Sequence, residues 1–237
     1  MLSGRPPSTE ISIDQLLERL ESGTARQKRS TAAALEKSSD ALADQAVQAL
    51  GAYSRDGDDW GAGWILQILQ RHRPEVLLTI PDVDAGWFNT PSASGIEYSD
   101  LQRALLTEDF KEADRLTSCV LRELAGDQAV QRGYVYFSEV PAMEALDLTT
   151  LDRLWIAYSQ GRFGFTVQSR LLKALDGRYE RLWPRIGWKN DGVWTRYPGD
   201  FKWSMDAPEG HMPLVNQLRG VRLMDALLHH PGLLPRT

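Results

Sequence analysis

Cysteine is almost missing from this chain of 237 residues: Cys119 is the only one. One thiol cannot close an internal disulfide, and zinc or haem-attachment motifs built on paired cysteines are excluded. Cys119 sits among Leu116, Val120 and Leu124 at helical spacing, which predicts a buried thiol. Histidine is scarce too, confined to His72, His211, His229 and His230. No apolar run approaches the ~18 residues that suggest a membrane span. A phosphate-cradling Walker loop, a GxGxxG turn after a strand, a GxSxG elbow and an HExxH zinc motif are all lacking. The nearest approach, GRFG at Gly161 to Gly164, has the wrong spacing and follows a helical pattern.

What remains is an ordinary globular composition, 42% hydrophobic and 25% charged. The net charge of −5 gives no support for nucleic-acid binding. Its distribution is uneven. Residues 88–149 carry 5 Lys/Arg against 11 Asp/Glu, whereas residues 150–237 carry 13 against 8. The second segment would favour an anionic ligand, or the two segments would pack on each other. Met1 to Glu10 lack the apolar core of a signal peptide, and Asp14, Glu18 and Glu21 follow closely. The expectation is a protein that stays in the compartment where it is made.

Helical periodicity dominates the first 80 residues. Ile11, Ile13, Leu16, Leu17 and Leu20 mark a first helix, with Ser12 and Gln15 as a capping box at its start. A second helix covers Arg26 to Lys37, and a third starts on Asp40 as N-cap and stops near Gly51. A fourth begins near Asp59 and ends before Pro74, and a short helix from Pro74 to Thr79 follows. IPDVDAGWFNTPSASG, Ile80 to Gly95, reads as a linker that Trp87 and Phe88 could anchor.

Tyr98 to Thr117 carries two helices with Ser99 and Thr107 as candidate caps. YVYFSEVP, Tyr134 to Pro141, has no partner strand and reads as an apolar loop. Helices resume at Pro141–Leu146, Thr150–Ser159 and Thr166–Leu175. Pro184 to His211 is the longest non-helical stretch. Together with Trp183 it gathers Trp188, Trp194 and Trp203. Those rings either plug the core or wall a ligand site. Pro213 would open the last helix, with Leu214, Leu218, Val221, Met224 and Leu228 on one side. Asn216, Arg219 and Arg222 form a polar stripe opposite. Guanidinium forks suit carboxylates, although a stripe of this spacing also fits a solvated face.

His72, His229 and His230 follow helix ends and could satisfy terminal carbonyls. His211 beside Glu209 is the one conceivable acid/base pair, for which a structural hydrogen bond is the simpler role. The patterns predict an all-α fold: an N-terminal helical bundle or helical-repeat-like domain over 1–85, then a second helical domain over 86–237 with long loops.

Two stretches, LWIAYSQGRFGFTVQ (Leu154 to Gln168) and DAPEGHMP (Asp206 to Pro213), with YSDLQRALLTEDFKEADRLT before them, resemble the Genomes-Uncoupled-Four family of tetrapyrrole-binding regulators. The resemblance covers about 98–230, with mild departures at Thr166 and Met212. It implies a helical cupped hand that binds protoporphyrin IX and magnesium protoporphyrin IX without a prosthetic group or catalysis. It implies stimulation of magnesium chelatase through the large H subunit, in chlorophyll biosynthesis, by a two-domain cyanobacterial form. The implied site is Phe137 and Val140 in the palm, Tyr197 and Trp203 in the loop, and Asn216, Arg219 and Arg222 at the polar edge. A cytoplasmic protein with a share at the periphery of thylakoid membranes fits this picture. The alternative is a protein-interaction scaffold without functional ligand binding.

Overall fold

The computed structural model describes residues 11–81, 83–215 and 221–234. The N-terminal part is four helices and a short fifth: α1 (Ile13–Ser22), α2 (Ala25–Lys37), α3 (Ser39–Leu50), α4 (Trp60–His72) and α5 (Pro74–Leu77). Each start has a local cause. Ser12 and Gln15 form the predicted capping box of α1, and Asp59 accepts the Gly61 N–H to open α4. Helix α3 departs from expectation. Its N-cap is Ser38, and Asp40 lies inside its first turn, where a carboxylate meets the positive end of the helix dipole instead of capping it.

Helix α4 is the axis of this half, buried from Gly61 to Leu69. It faces α9 (Ala145–Ala157) of the second half across a contact that only glycine permits. A Cβ on Gly63 would collide with the Ala157 carbonyl. Beside it, buried Gln67 donates through Nε2 to the carbonyls of Leu105 and Tyr158, at 3.0 and 2.9 Å. Those carbonyls belong to the ends of α6 (Ser99–Leu106) and α9, so a side chain of α4 caps two helices of the other half. One continuous apolar core runs from Leu16 to Leu233.

The stretch read as a linker is tied down. Trp87 and Phe88 are buried. Gln102 on α6 accepts the Phe88 N–H and donates to the Phe88 carbonyl. Further on, Asp147 of α9 accepts the Ser92 hydroxyl and the amides of Ala93 and Ser94.

The second half continues with α7 (Phe110–Ala125), α8 (Asp127–Arg132), a 3-10 turn over Phe137–Ala142, then α9, α10 (Phe165–Ala174) and α11 (Tyr179–Arg185). A two-residue hairpin follows, β1 (Lys189–Asn190) with β2 (Val193–Trp194), antiparallel. Helix α12 (Arg222–Leu228) closes the order before a 3-10 turn at Pro231–Leu233. Several boundaries correct the sequence reading. Thr107 ends α6, and the cap of α7 is Asp109, which accepts the Glu112 N–H at 3.0 Å. The helices expected at Pro141–Leu146 and Thr150–Ser159 are replaced by one, α9. Pro213 does not open the last helix; α12 begins at Arg222. The Leu214 N–H is committed to the Asp114 carboxylate at 2.6 Å. Among the described residues no helix is long and apolar enough to cross a membrane.

Candidate functional site

Phe137 and Arg222 come together. The 3-10 turn that carries Phe137 packs on α12, and the Arg222 guanidinium lies over the Phe137 ring, 5.3 Å from its centroid. Phe137 is 44% exposed and Arg222 is exposed. The pair therefore offers solvent a partly exposed aromatic ring with a cation over it. Val140, one turn on, is fully buried, so it supports the turn from beneath instead of lining an open surface. Asn216 and Arg219 lie outside the described residues.

The turn is itself braced. Arg132, at the end of α8, forms an ion pair with Glu139 at 2.7 Å and donates to the Tyr134 carbonyl. Its guanidinium lies over the rings of Tyr134 and Tyr136, at 4.7 and 4.1 Å. Glu139 accepts the Tyr136 N–H at 2.7 Å, and its pKa is lowered despite the opposing cost of burial, by that amide and by Arg132. Sequence reading missed Arg132. Its signal was an arginine seven residues before a glutamate, across a Tyr-x-Tyr segment.

The Trp-rich stretch resolves both of its readings. Trp183 and Trp188 are buried and stack with ring centroids 5.7 Å apart, and Trp188 Nε1 donates to the His211 carbonyl at 2.7 Å. These two plug the core. Trp194 and Tyr197 are about half exposed. Tyr197 meets Trp203 edge-on at 5.8 Å, and Trp203 stacks on Phe201 at 5.6 Å. Trp203 Nε1 donates to the Pro198 carbonyl, which closes the loop on itself. Tyr197 and Trp203 thus form one aromatic unit, as the sequence reading grouped them.

Beneath it lies Asp114, which sequence reading did not single out. Only 1% of it is exposed. Burial pushes its pKa up to about 7, while the Leu214 amide and the Tyr197 hydroxyl pull the other way. The available signal was an acid on the buried side of α7, one turn past Phe110 and three residues before Thr117.

The candidate acid/base pair is engaged elsewhere. His211 Nδ1 lies 2.6 Å from the Ile186 carbonyl and so carries the proton, while Nε2 accepts the Lys202 N–H at 3.2 Å. Burial lowers its pKa, so the ring is neutral. Glu209 pairs with Arg170 at 2.7 Å and reaches Arg185 at 3.8 Å. His72 bonds Glu36, not a carbonyl; Nδ1 of His229 reaches the Asp225 carbonyl; and Nδ1 of His230 accepts the Gly232 N–H. Cys119 is only partly buried, with Arg122 3.1 Å from its sulfur. Among the described residues no cluster of three metal-ligating side chains occurs.

Residues 91–231 match the model of a family described as GUN4-like. The Ycf53-like protein of Synechocystis sp. is 47% identical over 71% of this chain and 73% of its own length. A chloroplastic protein of Arabidopsis thaliana, named a tetrapyrrole-binding protein, is 36% identical over 56% of this chain and 53% of its own. The structure of GUN4 from Chlamydomonas reinhardtii aligns with a TM-score of 0.59 at 37% identity, covering 64% of this chain and 99% of that one. Ligand-free Arabidopsis thaliana GUN4 gives 0.55 at 35%, covering 60% and 100%. The all-α architecture, the motifs in Leu154–Gln168 and Asp206–Pro213 and these likenesses agree: the chain belongs to the GUN4-like family.

Proposed function

We propose that this protein is a non-enzymatic tetrapyrrole-binding regulator whose ligands are protoporphyrin IX and magnesium protoporphyrin IX. The observation that carries the reading is the Arg222 guanidinium over the exposed ring of Phe137. A flat apolar macrocycle with carboxylates on one side needs an aromatic surface to lie on and cations at its edge. The Tyr197–Trp203 unit supplies a second aromatic wall. Residues 86–237 hold the ligand in this reading, and 1–85 form the N-terminal bundle that braces α6 and α9. The likeness to a named tetrapyrrole-binding protein supports the ligand class.

The bound ligand would be presented to the large H subunit of magnesium chelatase, which the protein stimulates in chlorophyll biosynthesis. The protein would work in the cytoplasm and at the periphery of thylakoid membranes. The test is reconstituted magnesium chelatase assayed with and without this protein. Faster magnesium insertion that falls when Arg222 is replaced by Ala supports the reading. Equal stimulation by the Arg222→Ala variant, with its porphyrin affinity reduced, would favour a scaffold acting without ligand.

A further inference from the structure

Arg222 and Asp225 are both in the first turn of α12, at the spacing where opposite charges on a helix meet. Each is engaged elsewhere. The Arg222 guanidinium lies over the Phe137 ring, and among the described residues it forms no ion pair. The Asp225 carboxylate is turned toward α11. The Tyr179 hydroxyl donates to its Oδ1 at 2.9 Å. His229 Nδ1 lies farther from that oxygen, at 3.4 Å, and donates instead to the Asp225 carbonyl at 2.8 Å. Tyr179 thus makes the short bond to the carboxylate.

That hydroxyl comes from a fixed ring. Tyr179 opens α11 and stacks on Trp183 with centroids 5.3 Å apart. Trp183 is buried and stacks in turn on buried Trp188 at 5.7 Å. Burial, and then the Asp225 carboxylate, raise the Tyr179 pKa, so the phenol keeps its proton at neutral pH and remains a donor.

We propose that Tyr179 is a positioning residue of the ligand site: its hydroxyl holds the Asp225 carboxylate away from Arg222 and leaves the guanidinium for the carboxylates of the ligand. The proposal deepens the tetrapyrrole reading and rests on it. An acid in the first turn favours α12 itself, because a negative charge meets the positive end of the helix dipole. The same acid, one turn from an arginine, competes with a carboxylate ligand for the guanidinium fork. Tyr179 separates the two effects. Without its hydroxyl, Asp225 swings to Arg222 and the ligand has to displace it.

A plain structural tie between α11 and α12 leads to the opposite expectation for one variant. Removing either partner breaks such a tie, and removing both cannot restore it. If Tyr179 acts by withholding Asp225, removal of the carboxylate as well restores the site.

The test compares wild type, Tyr179→Phe, Asp225→Asn and the double variant at neutral pH and low ionic strength. One readout is the rate at which phenylglyoxal modifies Arg222 without ligand, followed by mass spectrometry. The other is affinity for deuteroporphyrin IX, followed by tryptophan quenching. Tyr179→Phe, which keeps the stacked ring, is expected to slow the modification and weaken the affinity, each by roughly two- to fivefold. Asp225→Asn and the double variant are both expected at the wild-type level or above. Equal modification rates in wild type and Tyr179→Phe overturn the proposal. So does a double variant as weak as Tyr179→Phe, which would make the bond a structural tie. Rates as expected, with equal affinities in wild type and Tyr179→Phe, overturn its link to the ligand. Absence of any deuteroporphyrin binding by wild type removes the tetrapyrrole reading instead, and the modification rates still decide whether Tyr179 withholds Asp225.

Discussion

Arg222 holds its guanidinium 5.3 Å from the centre of the Phe137 ring, joining the start of the last described helix to a turn far away in sequence. In the proposed reading the pair meets a flat anionic ligand. The ring limits where the cation rests, and the cation lies over the ring. Arg222→Ala should weaken deuteroporphyrin binding about tenfold, as expected for the loss of ~1.5–3 kcal/mol of charged hydrogen bonding. Arg222→Lys should recover only part, because an ammonium lacks the planar fork. Fluorescence titration of the tryptophans measures both, and equal affinity in all three proteins would exclude a propionate contact at this position.

Arg132 should matter to the ligand without touching it. It grips Glu139 and lies over Tyr134 and Tyr136. Arg132→Ala releases the segment that sets Phe137, so ligand affinity should drop several-fold. The loss of stability should stay near ~1 kcal/mol, since the pair is partly solvated. Comparing titration with urea unfolding separates the two effects. A fall in stability with affinity intact would reduce Arg132 to a structural role.

Gln67 should be costly to replace. In Gln67→Leu, the carbonyls of Leu105 and Tyr158 lose a buried donor, at ~1–3 kcal/mol each. Gly63→Val should be worse, because the added side chain runs into the Ala157 backbone. Both should lower the urea midpoint of the second half as well as the first, since α4 is shared between them. Unfolding of the two halves at unchanged, separate midpoints would contradict that.

Asp114 should make stability fall with rising pH. Its pKa is raised by burial to about 7 in the folded chain, well above an ordinary carboxylate. The folded chain therefore keeps a proton that the unfolded chain releases. The stability this group contributes is complete below about pH 4 and declines as pH rises through about 7. Relative to wild type, Asp114→Asn should gain stability between about pH 4 and about pH 7. Parallel stability curves for the two proteins over that range would show that Asp114 ionises normally.

Much of the fold was legible because local chemistry set it. Ser12 with Gln15, and Asp59 before Trp60, announced their helices and capped them. Boundaries went astray where tertiary contacts overrode local preference. The pattern suggested one helix ending at Leu146 and another starting at Thr150, yet α9 runs through the gap, and the hydroxyls of Thr149 and Thr150 bond the carbonyls of Gly232 and Pro91. Pro213 looked like a helix start, yet the next amide is spent on Asp114. Composition and spacing singled out the aromatic loop and the stripe that carries Arg222, and left open whether either meets a ligand. For Asp114 and Arg132 they offered only a faint signal, because the contacts of these residues exist only after distant segments have been brought together.

The most direct measurement is titration of the full chain with deuteroporphyrin IX at neutral pH, followed by quenching of tryptophan fluorescence. The account predicts saturable quenching at one ligand per chain. It also predicts an affinity reduced tenfold or more in an Arg219→Ala, Arg222→Ala double variant that still folds. Quenching that never saturates, or an affinity identical in wild type and the double variant, would contradict it.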